Sequence, residues 1–196
     1  MKLSAIALVA VVASLANSLD IDRGKVLGSP SAPIKIDVYS DFECPACKVF
    51  HENTLPQLMR DYVIPGKATI VSHEFPLNIH QYSREAANYA TAAARIGKYQ
   101  AVADALFRKQ TSWGANGKVW ETVANVLTAE EQKKMQALAK DPSVLAEVQT
   151  DMQSGQAAGI NETPTIFVTR GSQRYPLTGY ALNYNLLKKL LNDLLK

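Results

Sequence analysis

The sequence predicts an α/β fold: a strand–helix–strand unit, then a long helical segment, then two more strands and a final helix. Three observations support this prediction. Short β-branched runs lie near both ends of the chain, apolar residues recur every three or four positions across the middle, and turn residues separate the two patterns. The 196 residues, 47% of them hydrophobic and 20% charged, are typical of a globular domain with a substantial core.

The charge balance and the cysteine count exclude several classes of protein. The formal net charge is +3, and the 21 basic and 18 acidic side chains are interspersed along the chain. Because no basic stripe is present, we expect no nucleic-acid partner. Two cysteines are too few for an all-cysteine zinc site or for a disulfide-stapled mini-protein.

The N-terminus has the pattern of an export signal. Lys2 precedes an uncharged run, Leu3–Ala16, that spans only about 21 Å of the roughly 30 Å hydrocarbon core as a helix. Ser14 and Ala16 supply small residues at the −3 and −1 positions of a cleavage site. We therefore predict a signal peptide over residues 1–16 and a periplasmic or otherwise extracytoplasmic mature chain. The alternatives are an uncleaved N-terminal membrane anchor and a buried helix.

The first part of the domain reads as strand, helix and strand. After a lead-in segment at 17–33, the domain is predicted to run over 34–196, and alternating residues predict its first strand at Ile34–Tyr39. Pro45 suits the first position of a helix, where its missing N–H leaves no hydrogen bond unmade. A second strand is predicted at Ala68–Phe75.

The middle of the chain predicts helices only. Proline cannot donate to the preceding turn, so Thr54-Leu55-Pro56 predicts a break or kink in the first helix. Residues from about 79 to 158 carry apolar stripes at helical spacing, including Val144, Leu145, Val148 and Met152, and predict a helical insertion. Within it, Thr128 and Glu131 predict a capping box.

Strand patterns return near the C-terminus. Thr165–Thr169 is a β-branched run, Tyr175–Leu177 is its predicted hairpin partner, and Pro176 favours an edge position. The last helix is predicted to bury six leucines, which are Leu186, Leu187, Leu190, Leu191, Leu194 and Leu195.

Both cysteines lie in one tetrapeptide, Cys44-Pro45-Ala46-Cys47. A disulfide there closes too small a loop to stabilise the fold, so the pair is better suited to redox exchange. Cys44 is predicted at a helix N-terminus, where free N–H groups and the helix dipole favour a thiolate, and is therefore the predicted nucleophile. Cys47, one turn further along, is the predicted resolving cysteine. Asp41 and Glu43 are expected to oppose thiolate formation.

Two cysteines at this spacing also occur in haem, iron–sulfur and zinc sites. Haem attachment requires a histidine after the second cysteine, where this chain has a lysine, and an iron–sulfur cluster lacks further ligands. Zinc stays an alternative because Cys44, Cys47 and His51 share one helical face, although His73 and His80 add no helical ligand pattern. A structural disulfide is a further alternative. No cofactor and no metal are expected.

Four stretches of the sequence carry a resemblance to a known family. They are Gly28–Pro33, Ser40–Cys47, Glu74–Leu77 and Gly159–Val168. Together they resemble the DsbA-like branch of the thioredoxin superfamily, over nearly the whole predicted mature chain. The resemblance implies a thioredoxin fold, with a central mixed sheet flanked by helices and an inserted all-helical subdomain, and thiol–disulfide exchange as the activity.

The resemblance also implies roles for two residues far from the motif. Pro164 is expected to be a cis-proline facing the redox-active disulfide, and Thr163 to offer backbone groups to an extended substrate strand. A plain turn before the strand is the alternative. Ala46 stands where the family's oxidase has histidine, and Thr163 where it has valine, so the redox direction stays open.

The predicted function is thiol–disulfide exchange by an exported, monomeric oxidoreductase, an oxidase in preference to an isomerase. The expected partners are cysteine-containing exported proteins and a membrane redox partner that recycles the cysteine pair. The alternatives are a reductant carrier or isomerase for a dedicated client, and a non-catalytic binding module or chaperone.

Overall fold

A five-stranded mixed sheet forms the centre of the protein in the computed structural model, which describes residues 23–179 and 182–196. The predicted signal peptide lies outside these residues. The strands are β1 (Val26–Leu27), β2 (Ile34–Ser40), β3 (Ala68–Glu74), β4 (Thr165–Arg170) and β5 (Gln173–Thr178).

The strand order is β1-β3-β2-β4-β5. Strands β2 and β3 are parallel, because a helix crosses over between them, and the other three pairs are antiparallel. Pro176 lies in β5 at one edge, where its missing N–H costs no ladder hydrogen bond. This arrangement confirms the predicted α/β class and the predicted sequence of elements along the chain from β2 onward.

Helices flank the sheet, and those from Ser83 to Ala157 lie between β3 and β4 in the chain. No helix in the described part of the chain is both long and apolar enough to cross a membrane. The helices are α1 (Pro45–Val49), α2 (Leu55–Leu58), α3 (Ser83–Ala94), α4 (Tyr99–Arg108), α5 (Gln110–Asn116), α6 (Val119–Ala124), α7 (Ala129–Leu138), α8 (Pro142–Ala157) and α9 (Tyr184–Leu194).

The first helix does not break where the sequence predicts. A π-helical turn, Phe50–Thr54, joins α1 to α2, and the Leu55 N–H donates to the Phe50 carbonyl. Pro56 then falls in the first turn of α2, where no N–H donor is required. The extra residue in the turn therefore lets the chain stay helical through the proline.

The lead-in segment is part of the sheet and was not recognised as such from the sequence. Strand β1 pairs with β3, with Val26 opposite Val71, and two residues are too few to show a periodicity. Gly24 has no room for a side chain, because a Cβ atom there would lie 2.5 Å from the Ala94 carbonyl oxygen. The start of the domain is therefore packed tightly against α3.

The apolar core lies in two main layers. One face of the sheet packs against the helical run from α1 and against α9, and the helices between β3 and β4 form a second cluster that includes both cysteines. The prediction that two leucines belong to the core is wrong, because Leu145 is 40% exposed and Leu186 is 41% exposed. In α9 the leucine stripe is wider than the buried face: Leu187, Leu191 and Leu194 are buried, whereas Leu190 and Leu195 are partly buried at its borders.

Lys25 is buried in a cluster of acidic side chains. Its Nζ lies 2.9 Å from a Glu147 oxygen and 3.1 Å from an Asp151 oxygen, both on α8, and 3.8 Å from Glu74 on β3. Burial raises the pKa of Glu74 to about 7, although the positive charge of Lys25 opposes the rise. This cluster joins the lead-in segment, the sheet and the insertion.

His73 extends the cluster across the sheet. Its Nε2 lies 2.9 Å from Asp37 and its Nδ1 2.9 Å from Asp151, so both ring nitrogens face carboxylates. Burial alone would lower the pKa of His73, but the hydrogen bonds to Asp151 and Asp37 outweigh it and raise the pKa. The imidazolium form therefore stabilises the contact between β2, β3 and α8.

Replacing His73 should make stability less dependent on pH. A raised folded-state pKa contributes stability that is complete below the ordinary value of 6.5 and is lost as the pH rises through the folded value. His73→Gln removes one of the two cations at each of the carboxylates Asp37 and Asp151, which keep Lys35 and Lys25. We therefore expect it to cost about 2 kcal/mol at pH 6 and less at pH 9. Urea unfolding followed by tryptophan fluorescence at each pH measures this difference.

The control is His51→Gln, because His51 bonds Asp104, a half-exposed carboxylate. This variant should lose no more than about 1 kcal/mol at any pH. An equal loss for His73→Gln at pH 6 and pH 9 would contradict the electrostatic role of His73.

Candidate active site

The two cysteines lie where the first helix begins. Cys44 is the N-cap residue, with extended backbone angles of φ −75° and ψ 122°, and Pro45 opens α1 as predicted. Both thiols are reduced, and Cys44 is 7% exposed whereas Cys47 is fully buried. Only Cys44 is therefore open to another molecule without a movement of the helix.

The Cys44 sulfur is surrounded by hydrogen-bond donors. The Cys47 thiol is the strongest influence and lowers the pKa of Cys44; burial acts against it, and Thr163 with the backbone N–H groups of Cys47 and Ala46 adds to the lowering. The result is a pKa of about 5. At neutral pH Cys44 is therefore a thiolate, the form that acts as a nucleophile.

Cys47 is shifted in the opposite direction. Burial raises its pKa well above the ordinary value, and the hydrogen bond with Cys44 and the charge of Cys44 raise it further. The Asp41 N–H lies 3.4 Å from the Cys47 sulfur and lowers this pKa by a smaller amount. The pair therefore holds one proton at neutral pH, and Cys47 carries it.

The segment before β4 completes the site, although Thr163 lies 119 residues after Cys44 in the chain. The Thr163–Pro164 peptide bond is cis, and the Pro164 carbonyl accepts a hydrogen bond from Gly179. The Cys44 sulfur lies 3.3 Å from the Thr163 carbonyl oxygen, to which a protonated thiol donates. The structure thus brings together all four residues that the sequence and the resemblance indicated.

The Thr163 hydroxyl is a feature that sequence reasoning missed. Its Oγ1 is buried and makes no hydrogen bond to another group in the described residues. The side chain of Thr163 nevertheless lowers the pKa of Cys44, so its hydroxyl is available to the thiolate. Sequence reasoning assigned this residue only backbone contacts, because nothing in the chain shows which side chain faces the sulfur.

The expected opposition from Asp41 is offset by its surroundings. The carboxylate accepts hydrogen bonds from the Leu77 N–H at 2.7 Å, from His80 Nδ1 at 2.8 Å and from the Glu43 N–H at 2.7 Å. With three donors around it, Asp41 is not among the main groups that shift the pKa of Cys44. Instead it ties the loop before the motif to the segment after β3.

The alternative of zinc finds no support in the geometry. His51 Nε2 bonds Asp104 at 2.7 Å, and the imidazole ring lies 4.6 Å from the Phe107 ring. His73 and His80 bond other carboxylates. In residues 23–179 and 182–196, no group of three or more His, Cys, Asp or Glu side chains could hold a metal ion.

The chain is similar to known proteins in sequence and in structure. The family model described as Thioredoxin matches residues 21–181. Disulfide bond formation protein D of Bacillus subtilis (strain 168) is 25% identical over 152 residues, which cover 73% of this chain. The chain spans 66% of that relative's length, just under two-thirds, and about a quarter of the length of another curated relative.

Solved structures share the fold over most of the chain. The crystal structure of Wolbachia pipientis alpha-DsbA1 is 22% identical, with a TM-score of 0.71 over 87% of this chain and 89% of that chain. Pseudomonas aeruginosa DsbA2 is 25% identical, with a TM-score of 0.67 over 88% and 97%. The expected thioredoxin fold with a helical insertion is thereby confirmed. The chain belongs to the thioredoxin family, whose model matches it over residues 21–181, and its fold is similar to that of the DsbA structures.

Proposed function

We propose that the protein is a thiol–disulfide oxidoreductase that oxidises cysteine-containing exported proteins through Cys44 and Cys47. The opposite pKa shifts of the two thiols carry this proposal, because they give each cysteine a different task. The match to a disulfide bond formation protein and the DsbA fold support the same activity.

In the oxidative direction the pair starts as a disulfide. A client thiolate attacks the Cys44 sulfur, the Cys44–Cys47 bond breaks, and Cys47 leaves as a thiolate that takes up a proton. A second client thiolate then attacks the client sulfur of the mixed disulfide and releases Cys44 as a thiolate. The client gains a disulfide and loses two electrons, which remain on the reduced pair until a membrane redox partner removes them.

The stability of the Cys44 thiolate supports the proposed oxidative direction. A thiolate with a pKa of about 5 is a good leaving group, and its hydrogen bonds lower the free energy of the reduced protein. The pair therefore gives up its disulfide readily, which is the property of an oxidase. A reductant carrier, by contrast, needs a disulfide that is more stable than that of an oxidase.

The client is proposed to bind in extended form beside Thr163. The residue before a cis-proline presents its backbone next to the reactive sulfur, and a client strand that pairs there places its cysteine at Cys44. We further propose that residues 1–16 direct export and that the mature protein works as a monomer outside the cytoplasm, where client disulfides persist.

Thr163→Val should make Cys44 a weaker acid. The substitution replaces the buried hydroxyl by a methyl group of similar size, so Cys44 loses a polar side chain that lowers its pKa. We expect the pKa of Cys44 to rise from about 5 by about one unit, which a loss of about 1.4 kcal/mol would produce. The rate of alkylation as a function of pH measures the change.

The matched control is Thr165→Val, because the Thr165 hydroxyl bonds the Glu162 carbonyl and is not among the groups that shift Cys44. Thr165→Val should leave unchanged the pH at which the alkylation rate of Cys44 is half its maximum. A wild-type midpoint at or above the ordinary value of 9.0 would refute the thiolate assignment, and faster labelling of Cys47 would reverse the two roles.

Cys47→Ser should trap clients. Without a resolving thiol, a mixed disulfide between Cys44 and a client persists, so adducts should accumulate in a secreting host. Non-reducing gels should show them, and reductant should remove them. The double variant Cys44→Ser/Cys47→Ser is the control and should form none. Cys47→Ser that stays a clean monomer would favour a non-catalytic binding module.

The reduced protein should be more stable than the oxidised protein at pH 7. The lowered pKa of Cys44 adds stability that is complete above the ordinary value of 9.0 and is lost as the pH falls through about 5. The disulfide form lacks this contribution, and its short loop gains little in return. For each pH unit above 5, the free energy of unfolding of the reduced form should rise by about 1.4 kcal/mol relative to that of the oxidised form. This corresponds to a difference of about 3–6 °C in Tm.

Thermal unfolding of both redox forms at pH 7 and pH 5 tests the direction. The difference in Tm should shrink at pH 5. An oxidised form that is more stable at pH 7 would exclude an oxidase and indicate a reductant carrier, while leaving the roles of Cys44 and Cys47 intact.

A further inference from the structure

A glutamine from the helical insertion reaches the backbone of the cysteine motif. Gln110 is the first residue of α5 and is 7% exposed. Its Nε2 donates to the Phe42 carbonyl oxygen at 2.7 Å and to the Cys44 carbonyl oxygen at 2.9 Å. One side-chain amide thus uses both of its N–H groups on the loop that carries Cys44.

These carbonyls belong to a tight turn. The Cys44 N–H donates to the Asp41 carbonyl at 3.1 Å, and the Cys44 carbonyl accepts from the Lys48 N–H at 3.2 Å. The orientation of the Cys44 carbonyl therefore fixes how the residue enters α1. That orientation also decides whether its sulfur faces the N–H groups of Ala46 and Cys47.

Gln110 is itself held firmly in place. Three residues along α5, Trp113 is fully buried, and its Nε1 donates to the Leu106 carbonyl at 2.7 Å. On the same helix Gly114 passes close to Glu43, since a Cβ atom there would lie 3.7 Å from its Cγ. The glutamine therefore approaches the motif from a rigid support.

We propose that Gln110 is a positioning residue: it holds the Phe42 and Cys44 carbonyls so that the Cys44 sulfur stays among its donors. This proposal rests on the proposed function and adds that the helical insertion controls the reactivity of the nucleophile. No feature of the sequence near Gln110 indicated it, because α5 has only one large apolar residue and shows no stripe.

The test uses Gln110→Met and Gln110→Glu in the full chain. Met keeps the length of the side chain but donates nothing, whereas an ionised Glu places a negative charge beside two carbonyl oxygens and the thiolate. We expect the midpoint of the thiolate absorbance titration of Cys44 to rise by about one pH unit in Gln110→Met, which lowers the thiolate fraction at pH 4 about tenfold. The rise should be larger in Gln110→Glu.

Ser112→Ala on the same helix is the control. Ser112 is exposed, so its replacement should leave both the midpoint and the melting temperature unchanged. Circular dichroism at each pH establishes that the variants are folded. If Gln110→Met fails to fold, the same titration of Gln110→Asn decides the proposal, because asparagine is a neutral amide too short to keep both hydrogen bonds.

An unchanged midpoint in a folded but less stable variant would overturn the proposal, because the glutamine would then contribute to packing alone. This outcome is distinct from a failure of the proposed function. The titration needs no client, and a wild-type protein that titrates near 5 yet exchanges no disulfides would refute the function while leaving the role of Gln110 measurable.

Discussion

The hydrogen bond from the Cys47 thiol to the Cys44 sulfur is the interaction on which the chemistry of this protein depends. It lowers the pKa of one cysteine and raises that of the other, although the two are only three residues apart. Burial of Cys47 widens the gap between the two pKa values, because a second thiolate in the core would be less stable than a protonated Cys47. A single proton shared by the pair thus leaves Cys44 as the thiolate and Cys47 as the thiol, the states that their proposed roles of nucleophile and resolving cysteine require.

Three separate elements hold that pair. The start of α1 supplies backbone donors, the chain before β4 brings Thr163 to the sulfur, and α5 reaches the motif through Gln110. The acidic residues before the motif are held by the segment that leads into the insertion: Asp41 bonds Leu77 and His80. The insertion is therefore part of the active site's support as well as of the fold, and both cysteines pack in its core cluster.

The charged cluster around Lys25 and His73 has a different task. It lies between the sheet and α8, and its members bond each other and not the cysteines. Moving α8 away would leave buried charges without partners, which is energetically costly. The cluster therefore fixes the position of α8, and with it one wall of the insertion. The pH dependence of stability thus depends on one group of residues, and the reactivity of the thiols on another.

Local patterns in the sequence determined the principal strands, the capping box at Thr128 and the helix start at Pro45, because each depends on neighbours a few residues apart. The same is true of the cysteine pair, whose order along α1 already distinguishes an outer thiol from an inner one. Only the tertiary structure showed that the side chains of Thr163 and Gln110 act on the motif. The sequence and the resemblance predicted backbone contacts alone for Thr163, and an amide on a helix without an apolar stripe leaves no local signal. It also decided the pairing of β1 and the path through Pro56, because a two-residue strand and a π-helical turn depend on the packing around them and not on periodicity.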